Sequence, residues 1–163
     1  MATSFQIIGF KKSGKTAVTE EVTQILTQRG FNVSVFKHDR HRATMDKAGT
    51  DTDRFTNAGA ENVILQSDSG LFLHRTASSP LDLTQIIQWL GREADLVLVE
   101  GYKMASFKKL VLLRPSDHRS DFMTVSNIVR FASLQDHPEA DLVGQTAIVD
   151  WLINTLTKGE NDD

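Results

Sequence analysis

Eight consecutive residues carry the clearest chemistry in this chain. Gly9-Phe10-Lys11-Lys12-Ser13-Gly14-Lys15-Thr16 satisfies G-x-x-x-x-G-K-[ST] at every fixed position. At average residue usage such a match arises by chance in about half a percent of chains this long. The glycines let successive backbone N–H groups curl around phosphate oxygens with no Cβ in the way. The start of a following helix adds the positive end of its dipole. Lys15 is then placed to reach the β- and γ-phosphates of a nucleotide, and the Thr16 hydroxyl to ligate Mg²⁺. Gly9, Lys12, Ser13, Gly14, Lys15 and Thr16 are the expected phosphate contacts.

A phosphate site of this kind is completed by an acid at the end of a neighbouring buried strand. Two acids flank the apolar run Leu96-Val97-Leu98-Val99: Asp95 before it and Glu100 after it. At about 3.3 Å per residue they stand on the order of 16 Å apart, so only one can serve. Ligands of open α/β sheets bind at the carboxyl ends of strands. That choice makes Glu100 the partner of Thr16 on Mg²⁺ and Asp95 a structural acid, although Asp is the commoner residue at this place. A strand over residues 32–37, parallel to the first, opens on the same edge and projects Lys37-His38-Asp39-Arg40-His41 beside the phosphates. Lys37, His38, Asp39, His41, Asp51 and Gly101 are therefore candidate contacts to the nucleotide edge or a substrate. His38 and His41, with Asp39 and Asp46, admit a transition metal, but a closed site needs four well-placed ligands. Hydrogen bonding to nucleotide or to Mg²⁺-bound water is the favoured role. No catalytic residue is assigned, and guanine and adenine both stay open.

The elements that must position these groups can be read from periodicity. Phe5–Ile8 forms a strand that feeds the glycine-rich turn. Val18, Val22, Ile25 and Leu26 make one apolar stripe of a helix that stops at Gly30. Thr50 with Asp53 starts a short helix ending at Gly59, and residues 61–66 and 70–74 read as two strands around a Ser67-Asp68-Ser69 turn. Ser79-Pro80 starts a helix with Leu83, Ile86, Ile87 and Leu90 inward. Leu96–Val99 and Leu110–Leu113 read as strands buried on both faces, and residues 145–157 as a last helix. The fold class that follows is α/β: a P-loop NTPase-like, mostly parallel sheet flanked by helices, with a small β extension. One domain over residues 1–157 with a flexible tail at 158–163 is expected. The strand order does not follow from the pattern.

Composition narrows the function classes. The chain has 163 residues, 40% hydrophobic and 24% charged, with a net charge of −3. That balance is globular and does not suit coating nucleic acid or an anionic membrane. Cysteine is absent, which excludes disulfides, thiol nucleophiles and thiolate metal sites. No apolar run approaches the roughly 18 residues of a spanning helix, and the first residues carry no basic leader. A cytoplasmic protein is expected. Half of the 18 Lys and Arg fall within residues 1–54 (Lys11, Lys12, Lys15, Arg29, Lys37, Arg40, Arg42, Lys47, Arg54), which suits a small polyanion.

Three segments in combination resemble the molybdopterin-guanine dinucleotide biosynthesis adapter (MobB) family. They are Gly9–Thr16, then Phe36–His41 running through Asp46–Asp51 to Ala58-Gly59-Ala60, and Asp95–Lys103 with its Val-Glu-Gly-Tyr-Lys ending. Ala48 stands where the family tends to have Pro, and Arg42 where it tends to have Gly. The resemblance implies a GTP-binding homodimer with weak or no hydrolysis of its own. It implies a partner too, the guanylyltransferase that attaches GMP to the molybdenum cofactor, with molybdopterin itself as a further ligand. The alternative from the residues alone is a P-loop kinase of a small molecule or nucleotide, with Arg114–Arg119 as its lid. A partitioning or metallochaperone-like ATPase is a third, through Lys11 or Lys12.

Overall fold

The computed structural model describes residues 2–39, 46–76 and 82–158. In chain order the elements are β1 (Thr3–Gly9), α1 (Lys15–Gln28), β2 (Val33–Lys37), α2 (Asp51–Asn57), β3 (Asn62–Ser67), β4 (Gly70–Arg75), α3 (Leu83–Leu90), β5 (Leu96–Glu100), β6 (Lys109–Leu112), β7 (Ile128–Ser133), β8 (Leu142–Val143) and α4 (Gln145–Thr157). A 3-10 turn, Arg119–Phe122, precedes β7. The chain divides into two compact units, residues 39–82 and the remainder.

The larger unit is built on one six-stranded sheet of order β2-β5-β1-β6-β7-β8. Every neighbouring pair in it is parallel. β1 and β2 are parallel as expected, with β5 inserted between them. The unbroken apolar run of β5 is explained by its central place, because alternate side chains go to opposite faces. Leu96 and Leu98 join Phe5, Ile7, Val18, Val22, Leu26, Ile148 and Leu152 in the core under α1 and α4. Val97 and Val99 pack instead with Leu83 and Ile87 of α3.

Helix α1 ends in a Schellman motif: Phe31 N donates to Leu26 O and Gly30 N to Thr27 O, with Gly30 at φ +89°. Phe31 is thereby turned back onto the core beside Leu26. β7, β8 and the 3-10 turn were not legible in the pattern. β7 carries the exposed Val129 and Arg130, and β8 is two residues long. The helix start expected at Ser79-Pro80 and the tail from residue 159 lie outside the described residues.

The smaller unit is the expected β extension. β3 and β4 pair antiparallel around the Ser67–Gly70 turn. Thr50 caps α2 by accepting from Asp53 N at 3.3 Å, while Asp53 Oδ2 accepts from Gly49 N at 2.8 Å. Ile64, Leu65, Leu71, Phe72 and Leu73 are all exposed on the hairpin.

Candidate nucleotide-phosphate site

The phosphate loop leaves the carboxyl end of β1 and returns as α1. Gly9 admits no side chain, since a Cβ there would lie 2.5 Å from both Leu112 O and Ser13 Oγ. Gly14, at φ +91°, would put a Cβ 2.2 Å from Leu134 Cδ1. Lys12 takes a left-handed conformation at φ 66°, which bends the loop between the two glycines. Ser13 is buried at 5% exposure, and its N–H donates to Phe10 O at 3.2 Å. Lys15 Nζ donates to Phe10 O at 2.7 Å. Burial lowers the pKa of Lys15, the charge of Glu100 opposes that, and Lys37 and Arg114 push it further down. Three cations thus converge on one loop, which is the electrostatics a polyphosphate requires.

Glu100 ends β5 beside this loop and is 6% exposed. Thr16 Oγ1 stands 3.3 Å from both of its carboxylate oxygens. Lys37 Nζ lies 3.0 Å from Glu100 Oε1 and 3.4 Å from Thr16 Oγ1. The register explains the meeting, because Lys37 is paired with Glu100 across β2 and β5. Asp95 sits at the other end of β5, where its Oδ2 accepts from Asn32 N at 2.8 Å. Gly101, at φ +85°, lets the chain turn with His38 O only 3.2 Å from where a Cβ would be. His38 N donates to Glu100 O at 3.0 Å, and its ring stands edge-on to Tyr102 at 4.5 Å between centroids.

Of the remaining expected residues, Asp39 and Asp51 belong to the smaller unit, and Asp51 is exposed and paired with Arg54 at 3.4 Å. His41 lies outside the described residues. Among the described residues no group of three or more His, Asp or Glu side chains is placed to hold a metal ion.

Two features went unread in the sequence. Gln6 and Lys109, both fully buried and paired across β1 and β6, donate into the segment that follows Glu100. Gln6 Nε2 reaches Gly101 O at 2.6 Å and Tyr102 O at 2.7 Å, and Lys109 Nζ reaches Lys103 O at 3.3 Å and also Ala105 O. A buried polar residue in a central strand is costly unless bonded, so these two mark the turn they hold. The other is the place of Arg114, just past β6, which the sequence offered only as part of a kinase lid over Arg114–Arg119. Asp117 grips its guanidinium at 2.7 and 3.0 Å, and Arg114 lies over the Phe10 ring at 5.0 Å and donates to Lys11 O at 3.4 Å. Its signal was available: it follows the Leu110–Leu113 run as Glu100 follows Leu96–Val99.

A family profile described as Molybdopterin guanine dinucleotide synthesis protein B matches residues 4–134, most of the chain. The chain belongs to the MobB family. A Haemophilus influenzae protein named "Molybdopterin-guanine dinucleotide biosynthesis adapter protein" is 38% identical over 109 residues, 66% of this chain and 61% of its own length. A Methanocaldococcus jannaschii relative is 36% identical over 116 residues, 68% of this chain and 47% of its own. The aligned part thus spans under two thirds of each of these relatives. The crystal structure of Bacillus subtilis MobB superposes with a TM-score of 0.73 at 26% identity, covering 97% of this chain and 99% of that one. The MobB fold therefore extends over β8 and α4, beyond the part matched by the profile.

Proposed function

We propose that this MobB-family chain is a GTP-binding adapter in molybdopterin guanine dinucleotide biosynthesis. It holds Mg²⁺·GTP on the loop Gly9–Thr16 and assists the guanylyltransferase that attaches GMP to the molybdenum cofactor, with molybdopterin within reach of the pair. It works as a cytoplasmic homodimer and hydrolyses GTP slowly. The observation that carries the reading is the contact of Thr16 Oγ1 with the buried Glu100 at the carboxyl ends of the strands, one residue after Lys15 on the loop. A hydroxyl and a carboxylate are hard oxygen donors of the kind Mg²⁺ takes alongside phosphate and water, so the residues present fit the ion. When bound, Mg²⁺ would neutralise charge on the β- and γ-phosphates.

The rest is done by the chain's own groups. Lys15 pairs with the phosphates, and the N–H groups of the loop and of the first turn of α1 cradle them. Lys12, Ser13 and Gly14 line that cradle, with Lys37, His38 and Gly101 at its rim. The kinase alternative is not favoured, since the relatives are named as adapters. Titration with GTP and with ATP, each with Mg²⁺, tests the reading. Tight binding of GTP over ATP is the expected result, and equal affinity would count against it.

A further inference from the structure

We infer that Lys37 is an exchangeable internal cation: it bridges Glu100 and Thr16 when no divalent metal is bound, and it releases them when Mg²⁺·nucleotide arrives. This rests on the reading above that Thr16 and Glu100 hold Mg²⁺. The same two side chains are the ones Lys37 touches, at 3.0 Å to Glu100 Oε1 and 3.4 Å to Thr16 Oγ1. Its ammonium therefore stands on the oxygens that the metal would take. A buried carboxylate left alone is costly, and Lys37 supplies its counter-charge.

The asymmetry of the pair decides which partner moves. Glu100 is 8% exposed at its side chain, while Lys37 is 54% exposed on a flexible stem. Glu100 is also anchored through its backbone, which accepts from His38 N, and it leads into the turn held by Gln6. An ammonium and a divalent ion repel each other across a few ångströms, so Lys37 gives way when the metal binds. Lys37 is thus held in the empty protein and freed in the loaded one. It is the last residue of β2, one step before His38, where the first of the two chain segments of the sheet unit ends. The state of the nucleotide is registered where the chain leaves the sheet.

The test is the Mg²⁺ concentration giving half-maximal tightening of GTP binding, read by fluorescence of a labelled GTP. Wild type, Lys37→Met, Lys37→Arg and Glu100→Gln are compared. Lys37→Met is expected to lower the midpoint about fivefold, the worth of a half-exposed ion pair. Lys37→Arg, which keeps the charge, should stay near wild type. A Glu100→Gln midpoint raised with the Lys37→Met midpoint unchanged or raised would overturn this inference alone. If Glu100→Gln left the midpoint where it is in wild type, the metal reading itself would fall, and this one with it. Melting without nucleotide gives a second reading: Mg²⁺ should raise the melting temperature of Lys37→Met more than that of wild type. An equal rise in both would also overturn the exchange.

Discussion

Lys15 and Glu100 pull on the same site with opposite charge, and their roles separate by substitution. Lys15 is turned to Phe10 O and away from the apolar core, so Lys15→Ala should fold normally. Losing a charge-assisted contact to phosphate should weaken Mg²⁺·GTP at least about 100-fold by titration calorimetry. Wild-type affinity in that variant would remove the phosphate-site assignment. The two acids that flank Leu96–Val99 make a second comparison. Glu100→Gln should raise the Mg²⁺ requirement for GTP binding, whereas Asp95→Asn should leave it unchanged and cost about 1 kcal/mol of stability through the weakened bond to Asn32 N. The reverse ranking would mean that the metal edge of the sheet is misassigned. Glu100 could be told from Asp95 in the sequence because a parallel strand has a direction, and only its carboxyl end faces the loop. Gln6 and Lys109 gave no such lead, because a buried polar residue is recognisable only once its partners are in place.

At the scale of elements, legibility followed burial. β5 and β6 lie inside the sheet, and their unbroken apolar runs announce it. β7 and β8 approach or form its edge, where one face is open and the pattern dissolves into mixed residues. What holds that edge is polar instead. Asp141 accepts from Phe131 N at 2.8 Å and from Arg119 at 2.5 Å, and Glu139 accepts from Arg119 N at 2.7 Å and meets His118 Nδ1 at 2.6 Å. The hydrogen bond and then the charge of Glu139 raise the pKa of His118 above its ordinary 6.5. A base with a raised folded pKa contributes stability that is complete below the unfolded value and lost as pH climbs through the folded one. Melting of wild type should therefore drop from about pH 6 to about pH 9 by more than melting of His118→Asn does. Parallel curves would show that the pair adds nothing to the edge.

For the whole molecule, two quantities decide between an adapter and an enzyme: its mass and its turnover. The β3–β4 ribbon exposes apolar side chains on both faces, with Ile64 opposite Leu73 on one and Leu65 opposite Phe72 on the other. A two-stranded ribbon is marginal alone, and exposed apolar patches of this kind mark contact surfaces. Light scattering should give twice the chain mass, and Leu65→Asp with Phe72→Asp should shift it toward the monomer. A monomeric wild type at working concentration would count against the dimer.

Turnover is the sharper discriminator. Fast hydrolysis needs a group that orients the attacking water and a free positive charge on the transition state, an arginine finger alone being worth roughly 10³–10⁵ in rate. Among the described residues Arg114 is the arginine beside the loop, but Asp117 holds its guanidinium. Gln6 is fully buried and its amide NH₂ is spent on the Gly101 and Tyr102 carbonyls, so it is shut away from any attacking water. His38 is stacked edge-on to Tyr102, with only its main chain joined to Glu100. Purified protein should hydrolyse GTP far below 1 s⁻¹, the lower end of the range for kinases. Freeing Arg114 with Asp117→Asn should not raise that rate to the enzyme range, because neither Gln6 nor His38 is placed to orient the water. Turnover at about 1 s⁻¹ or above by the unassisted wild type would reject the adapter and return the chain to the enzymes.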